Sequence, residues 1–280
     1  MTTPSTKAGT AVPSSRLSRL ARLGSLASGV AGGMLAEGFR QLAQGRRPSV
    51  GELLLTPANA RRVAEQLAQL RGAAMKVGQL LSMDAGDLLP PELSQILARL
   101  RADAQPMPMS QLVTVLEANW GKDWTRHFSR FSFTPMAAAS IGQVHAAEAL
   151  DGRRLAIKVQ YPGIARSIAS DVDNVATLLR LSGLLPASLD IAPLLDEAKR
   201  QLHDEAVFLR EAAHLDHYRS LLAGHPDFTL PEVIGELGTP NVLVMSRVEG
   251  QSLDTLEAAP QAERDRVAQL LFELLFNEIF

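Results

Sequence analysis

The chain has 280 residues, of which 46% are hydrophobic, 21% charged and 5% aromatic, a composition that is typical of globular proteins and excludes collagen or a wholly disordered chain. Cysteine is absent, which excludes a disulfide framework, a thiolate zinc site and a cysteine nucleophile. The net charge of −2 does not favour a nucleic-acid-binding protein, although residues 1–50 carry a net +6 and the other 230 residues a net −8.

The first 57 residues divide into a polar tail and a basic helix. Residues 1–15 are rich in Thr, Ser, Pro and Gly and are predicted to be disordered. Residues 16–57 are predicted to form a basic amphipathic helix and a linker, because leucines and arginines recur at helical spacing on different faces. The apolar part of this predicted helix is too short to cross a hydrocarbon layer of about 30 Å. Two interpretations stay open: a helix that lies on a membrane or pairs with another helix, or a helix that packs on the domain.

Residues 58–128 are predicted to form a helical extension. Its helices run from Ala58 to Met83, from Pro91 to Arg101, and from Ser110 to near Gly121. Tryptophan and phenylalanine then cluster where the helical pattern gives way to a β pattern. This cluster is predicted to join the extension to a sheet, and its members are Trp120, Trp124, Phe128, Phe131 and Phe133.

Residues 129–250 are predicted to contain an antiparallel sheet of five strands. A hairpin is the clearest signal, with arms at 141–150 and 154–160 and the turn dipeptide Asp151-Gly152 between them. Helices follow at about 164–182 and 190–222, and short strands at 232–236 and 241–246. A last helix begins at residue 262, and ten of the fourteen residues from 267 to 280 are apolar.

One group of residues in this sheet suggests nucleotide chemistry. The small residues Ala137, Ala138, Ala139 and Ser140 precede the hairpin and would let a ligand approach the backbone closely. Lys158 lies in the middle of the second arm, where a strand lysine can reach phosphates. A glutamate on a later helix could hold that lysine by an ion pair, as in a kinase N-lobe. Taken alone, Lys158 is more typical of a solvent-facing strand lysine.

Five short motifs make a family resemblance specific. In chain order they read KVGQ at 76–79, AAASIGQVH at 137–145, LAIKVQYPG at 155–163, EAVFLREA at 205–212 and VLVMSRVEG at 242–250. Together they resemble the UbiB (AarF) family of atypical protein-kinase-like proteins, which support ubiquinone biosynthesis. The resemblance extends over residues 58–280. It implies an α+β fold with a kinase-like N-lobe at 129–250, the helical extension before it and the first helices of a C-lobe at 251–280.

The resemblance implies a nucleotide site. Lys158 would contact the phosphates of ATP or ADP and pair with Glu211. The alanine-rich loop at 137–140 would replace the usual glycine-rich loop. The hinge that receives the adenine would be formed by Met245, Arg247 and Val248.

The resemblance also implies a gate over this site. Lys76 and Gln79 belong to a Lys-x-Gly-Gln motif that restricts access to the active site in the family, and Glu205 is the expected partner of Lys76. Glu205 and Glu211 lie six residues apart on the predicted helix at 190–222 and point about 240° apart, so each can serve its own lysine. Val207 stands where the family's Glu-x-Asp motif has aspartate, which leaves open that the site is degenerate.

The family uses Mg²⁺, but the sequence offers no ligands for it. A catalytic-loop Asp and Asn and an Asp-Phe-Gly segment would be needed, and neither follows before Phe280. The chain is therefore predicted to be a fragment without phosphoryl-transfer activity. No metal site is predicted; His214 and His217, which follow Glu211 at helical spacing, are expected to be surface residues because no second cluster of ligands exists.

The implied partners are an adenine nucleotide, ubiquinone-biosynthesis proteins, membrane lipid and a second copy bound through the N-terminal helices, but no nucleic acid. The implied location is cytoplasmic, at a membrane face. Two alternatives remain. One is a truncated, non-catalytic pseudokinase that binds nucleotide or lipid. The other is a small-molecule phosphotransferase of the aminoglycoside-kinase kind, which the Lys-x-Gly-Gln helix disfavours.

Overall fold

Helices and one antiparallel sheet make up the part of the chain that the computed structural model describes, residues 70–84, 106–181 and 190–279 with Gly32 and Leu67. The α-helices are α1 (Arg71–Asp84), α2 (Met109–Trp120), α3 (Ile164–Leu181), α4 (Ala192–Glu205), α5 (Phe208–Leu221) and α6 (Gln261–Ile279). The strands are β1 (Phe128–Ala138), β2 (Gly142–Ala149), β3 (Arg154–Gln160) and β4 (Val242–Ser246). The predicted α+β class is confirmed. The predictions for residues 1–57 and for a helix at 91–101 lie outside the described residues, and the predicted domain boundaries stay predictions.

The sheet has the order β1-β2-β3-β4, with every neighbouring pair antiparallel. The predicted hairpin joins β2 and β3. Its turn is closed by the Ala149 N–H, which donates to the Arg153 carbonyl at 2.9 Å, and Gly152 has a φ of 85°. A positive φ of this kind favours glycine, which explains why the Asp-Gly pair located the turn correctly.

The prediction of a fifth strand at 232–236 is wrong for the part of the chain that is described. Only Val233 pairs there, in an isolated bridge to Met245, and a 3-10 helix follows at Gly235–Leu237. Glycine is unfavourable in strands and common in turns. Gly235 and Gly238 therefore end the extended segment before it can form a ladder.

The prediction of one helix over 190–222 is also wrong. The helix breaks at Ala206 and Val207, and Val207 is extended with φ −117° and ψ 92°. The backbone groups at the break are bound by residues at one end of the sheet. The Gln160 side-chain amide, at the end of β3, donates to the Ala206 carbonyl at 2.9 Å, and the Phe208 N–H donates to the carbonyl of Pro240, just before β4, at 3.1 Å. Glu205 and Glu211 thus belong to two helices, and the break sets their directions.

The core covers one face of the sheet and continues into the helices. Leu155, Ile157 and Val159 alternate along β3 and are fully buried. The predicted aromatic cluster is confirmed, since the ring centroids of Trp124 and Phe131 lie 5.0 Å apart and those of Trp120 and Phe128 5.5 Å apart. Helix α1 packs against α3 and α4.

A buried chain of hydrogen bonds crosses the sheet at His145, whose side chain is 0% exposed. The Met107 N–H donates to Gln143 Oε1 at 2.9 Å, so the amide nitrogen of Gln143 faces His145 Nε2 at 2.7 Å. His145 Nδ1 lies 2.8 Å from the Ser132 carbonyl. Since Nε2 must accept and Nδ1 must donate, this arrangement selects the neutral imidazole with its proton on Nδ1.

We expect the free energy of unfolding to decrease below about pH 6.5 because of His145. Burial holds the pKa of His145 below its ordinary value of 6.5. As the pH falls through 6.5, the unfolded chain therefore binds the proton before the folded protein does, and stability is lost. Urea unfolding between about pH 5 and pH 7.5 should show this slope in the wild type and a smaller slope in His145→Gln. His214→Gln, which removes an exposed histidine, is the matched control, and equal slopes in the two variants would refute the assignment.

Candidate functional site

Lys158 and Glu211 form an ion pair between the sheet and α5. The Lys158 ammonium lies 2.5 Å and 2.7 Å from the two carboxylate oxygens of Glu211, and its side chain is 14% exposed. Glu211 lies in the first turn of α5. Beneath the ammonium lies the ring of Phe208, with its centroid 4.8 Å from Nζ, in a cation–π contact. The two charges meet as predicted, while their catalytic role stays a prediction.

A row of paired residues crosses the sheet at Lys158. Ala137 pairs with Val144, Val144 with Lys158, and Lys158 with Leu243. Directly paired residues of antiparallel strands point to the same face. The face that carries Lys158 therefore also carries Ala137, at the start of the alanine-rich segment.

The next row on this face leads to the predicted hinge. Ala146 pairs with Ala156, and Ala156 pairs with Met245. Two alanines leave a shallow area between Lys158 and Met245, since methyl groups project little from a sheet. This pair of alanines was missed in the sequence, although the alternation of β3 could have shown that Ala156 shares a face with Lys158.

The remaining hinge residues follow β4 directly. The Arg247 N–H donates to the Arg154 carbonyl at 2.9 Å, and the Arg247 guanidinium lies 3.7 Å from a carboxylate oxygen of Glu249. Val248 is exposed. The structure thus places Met245 at one end of the face that carries Lys158, and Arg247 and Val248 follow it along the chain.

The alanine-rich segment is partly strand and partly loop. Ala137 and Ala138 complete β1, where they pair with β2. The Ala139 N–H donates to the Gly142 carbonyl at 2.8 Å and closes the tight connection into β2. Ser140 lies in that connection.

Glu205 contacts two elements that are far apart in the sequence. One of its carboxylate oxygens accepts from the Lys76 ammonium at 2.6 Å, which is the predicted pair. The other accepts from the Ser140 hydroxyl at 2.8 Å, a contact that was not predicted. Gln79, on the same helix as Lys76, is exposed.

A neighbouring carboxylate contributes to the charge environment of Lys76. Hydrogen bonds from Arg200 and Gln201 lower the pKa of Glu197 to about 2, with a smaller contribution from the charge of Lys76. Glu197 is therefore ionised at neutral pH.

Gly72 and Gly142 allow close backbone contacts at the site. A Cβ added to Gly72 of α1 would lie 2.6 Å from the Ser140 carbonyl oxygen, and one added to Gly142 would lie 2.5 Å from the Val159 carbonyl oxygen. Both distances are shorter than non-bonded atoms tolerate. No local pattern reveals them, because each contact involves a residue distant along the chain.

The described residues do not fit the Mg²⁺ that the resemblance implies. Within residues 70–84, 106–181 and 190–279, no group of three His, Asp or Glu side chains is arranged to hold a metal ion. Glu205 and Glu211 are each bound to a lysine. His214 and His217 are exposed on α5, as predicted for surface histidines.

None of the helices in the described part of the chain has the length and apolar character needed to cross a bilayer.

The chain has relatives among known proteins. Residues 99–280 match the family model described as the ABC1 atypical kinase-like domain. The chain is 40% identical over 268 residues to "Atypical kinase COQ8, mitochondrial" of Saccharomyces cerevisiae, covering 96% of this chain and 54% of that protein. It is 41% identical over 271 residues to "Atypical kinase COQ8B, mitochondrial" of Rattus norvegicus, covering 96% of this chain and 51% of that protein. The chain thus spans about half the length of these relatives.

A solved structure is also similar, that of Rv3197 in complex with erythromycin, from Mycobacterium tuberculosis. The TM-score is 0.50 at 32% identity, over 79% of this chain and 56% of that one.

Proposed function

Since the chain belongs to the ABC1 atypical kinase-like family, which includes the UbiB-type proteins that its motifs resemble, we propose that it forms the nucleotide-binding part of an atypical kinase or ATPase. Residues 129–250 act as its N-lobe and hold ATP or ADP on the sheet face that carries Lys158. The observation that carries the proposal is the ion pair between Lys158 and Glu211 at 2.5 Å.

The role of Lys158 is to neutralise phosphate charge. Its ammonium is fixed by Glu211 on one side and by the Phe208 ring below, so little conformational entropy is lost when a phosphate binds. A cation held in a partly buried position also attracts an anion more strongly than a mobile surface lysine does.

The rest of the face suits a nucleotide. The segment at 137–140 covers the phosphates. The adenine lies on the shallow area of Ala146 and Ala156 and reaches the hinge of Met245, Arg247 and Val248. Alanine closes off the positive φ that glycine allows, so this loop is stiffer than a glycine-rich phosphate loop.

Lys76 and Gln79 act as a gate beside this face. The bond from Lys76 to Glu205 at 2.6 Å supports the proposal, because it docks α1 against the helix that precedes the Glu211 helix. Gln79 is exposed and can contact a ligand that enters the site.

The setting of this activity follows from the family. We propose that the protein supports ubiquinone biosynthesis at a membrane face of the cytoplasm, with membrane lipid and other ubiquinone-biosynthesis proteins as partners and a second copy bound through the N-terminal helices. The resemblance of the motifs to the UbiB family supports this setting. The names of the two relatives place them in mitochondria.

A non-catalytic nucleotide- or lipid-binding pseudokinase is the second candidate. It is favoured by Val207, which replaces the aspartate of the family's Glu-x-Asp motif. In this case nucleotide binds with no turnover.

Lys158→Met tests the proposed function. We expect the wild type to bind ATP or ADP in calorimetric titration, and Lys158→Met to bind at least about tenfold more weakly, which is about 1.4 kcal/mol. The matched control is Lys199→Met. It removes a lysine of α4 whose ammonium lies 2.6 Å from the carboxylate of Asp173 on α3, and it should bind nucleotide like the wild type. Equal affinity of the wild type and Lys158→Met would contradict the role of Lys158, and a wild type that binds neither nucleotide would contradict the proposal.

A further inference from the structure

The carboxylate of Glu205 serves two elements at once. Its Oε1 accepts from Lys76 of α1, and its Oε2 accepts from the Ser140 hydroxyl in the loop between β1 and β2. Both bonds are partly buried. The carboxylate is therefore a bridge between α1 and the loop that would cover the phosphates.

A second contact joins the same two elements. Gly72 is buried, and its backbone approaches so closely that an added Cβ would lie 2.6 Å from the Ser140 carbonyl oxygen and 3.3 Å from Ile141 Cγ2. Gly72 and Lys76 are four residues apart and share one face of α1. This face of α1 thus contacts Ser140 in two ways. Gly72 approaches it directly, and Lys76 is linked to it through Glu205.

The position of Glu205 makes the bridge depend on Lys76. Glu205 is the last residue of α4, where the helix dipole places partial negative charge and a carboxylate is unfavourable. The Lys76 ammonium, 2.6 Å from Oε1, compensates for this repulsion and holds the carboxylate in place. Without Lys76, Glu205 would turn toward solvent, and the Ser140 hydroxyl would lose its acceptor.

We propose that Ser140 is a positioning residue that couples the alanine-rich loop to α1 through Glu205. This inference rests on the proposed function and deepens it. While α1 is docked, the Ser140 hydroxyl is bound to Glu205 and holds the loop in one conformation. The loop closes on phosphates only after this bond breaks, so nucleotide binding and release of the gate helix are linked.

Hydrogen exchange of the chain without nucleotide tests the coupling. In Ser140→Ala we expect amides of the 139–142 loop and of α1 to exchange about tenfold faster than in the wild type. Lys76→Met should raise the exchange rates of the same amides. In the double variant these amides should exchange no faster than in Lys76→Met alone. In Ser140→Thr, which keeps the hydroxyl, the same amides should exchange as slowly as in the wild type.

The matched control is Ser170→Ala. The Ser170 hydroxyl donates to the Ser167 carbonyl within α3, and its removal should leave α1 and the loop unchanged. Faster exchange confined to the loop in Ser140→Ala, or additive effects in the double variant, would overturn the coupling.

Nucleotide titration separates this inference from the proposed function. We expect Ser140→Ala to bind ADP about three- to tenfold more tightly than the wild type, because no bond to Glu205 has to break, and this gain should vanish in the Lys76→Met background. Unchanged or weaker binding in Ser140→Ala would overturn the inference, since weaker binding makes Ser140 a direct nucleotide ligand. If the wild type binds no nucleotide, the proposed function fails, while hydrogen exchange still decides whether Ser140 couples the loop to α1.

Discussion

Gly142→Ala is expected to lower the free energy of unfolding by about 3 kcal/mol. A Cβ at this position would lie 2.5 Å from the carbonyl oxygen and 3.1 Å from the carbonyl carbon of Val159. Both atoms belong to the backbone of β3, which is paired with β2 and with β4. The strand cannot move aside without disturbing the ladders that place Lys158. The variant should therefore lose both stability and nucleotide affinity.

Gly152→Ala is the matched control, since it adds the same methyl group to the turn at the other end of β3. Gly152 has a positive φ of 85° but no heavy atom within 4 Å of the added Cβ. Gly152→Ala should therefore lower the free energy of unfolding by only about 1 kcal/mol, because alanine is unfavourable at a positive φ. Urea unfolding followed by circular dichroism measures both variants. If the two losses are equal, the contact at Gly142 does not have the steric consequence that we assign to it.

Phe208→Ala is expected to lower the free energy of unfolding by about 4 kcal/mol. The Phe208 side chain is 0% exposed, and its truncation leaves a cavity at the break between α4 and α5. The ring also supports the Lys158 ammonium at 4.8 Å. We therefore expect the variant to bind nucleotide more weakly as well, because the ammonium loses the support that fixes its position.

Two variants control for this result. Phe133→Ala removes a ring that is 42% exposed and should cost less than about 1 kcal/mol. Phe208→Leu fills much of the cavity without an aromatic face, so it should recover most of the stability but not the nucleotide affinity. Equal stability of Phe208→Ala and Phe133→Ala would contradict the role of Phe208 as a core residue, and full recovery of affinity in Phe208→Leu would contradict the cation–π support.

The sequence by itself determined the elements whose signals are local. The hairpin was predicted correctly because Asp151-Gly152 is a turn dipeptide and the alternation of β3 has the period of a strand. The same period puts Lys158 on the face opposite Leu155, Ile157 and Val159. The motifs identified the family and, through it, the partners of Lys158 and Lys76, which no pattern of spacing could have paired.

The tertiary structure decided where long-range contacts override local patterns. The residues around Ala206 and Val207 have no glycine or proline and continue a helical pattern, yet the helix breaks because Gln160 and Pro240, both distant in sequence, bind its free backbone groups. The break, and not the rotation along one helix, directs Glu205 and Glu211 to different lysines. The bond from Ser140 to Glu205 and the close approaches at Gly72 and Gly142 arise in the same way. Each depends on packing between segments that are far apart in the chain, and hydrophobic periodicity carries no information about such packing.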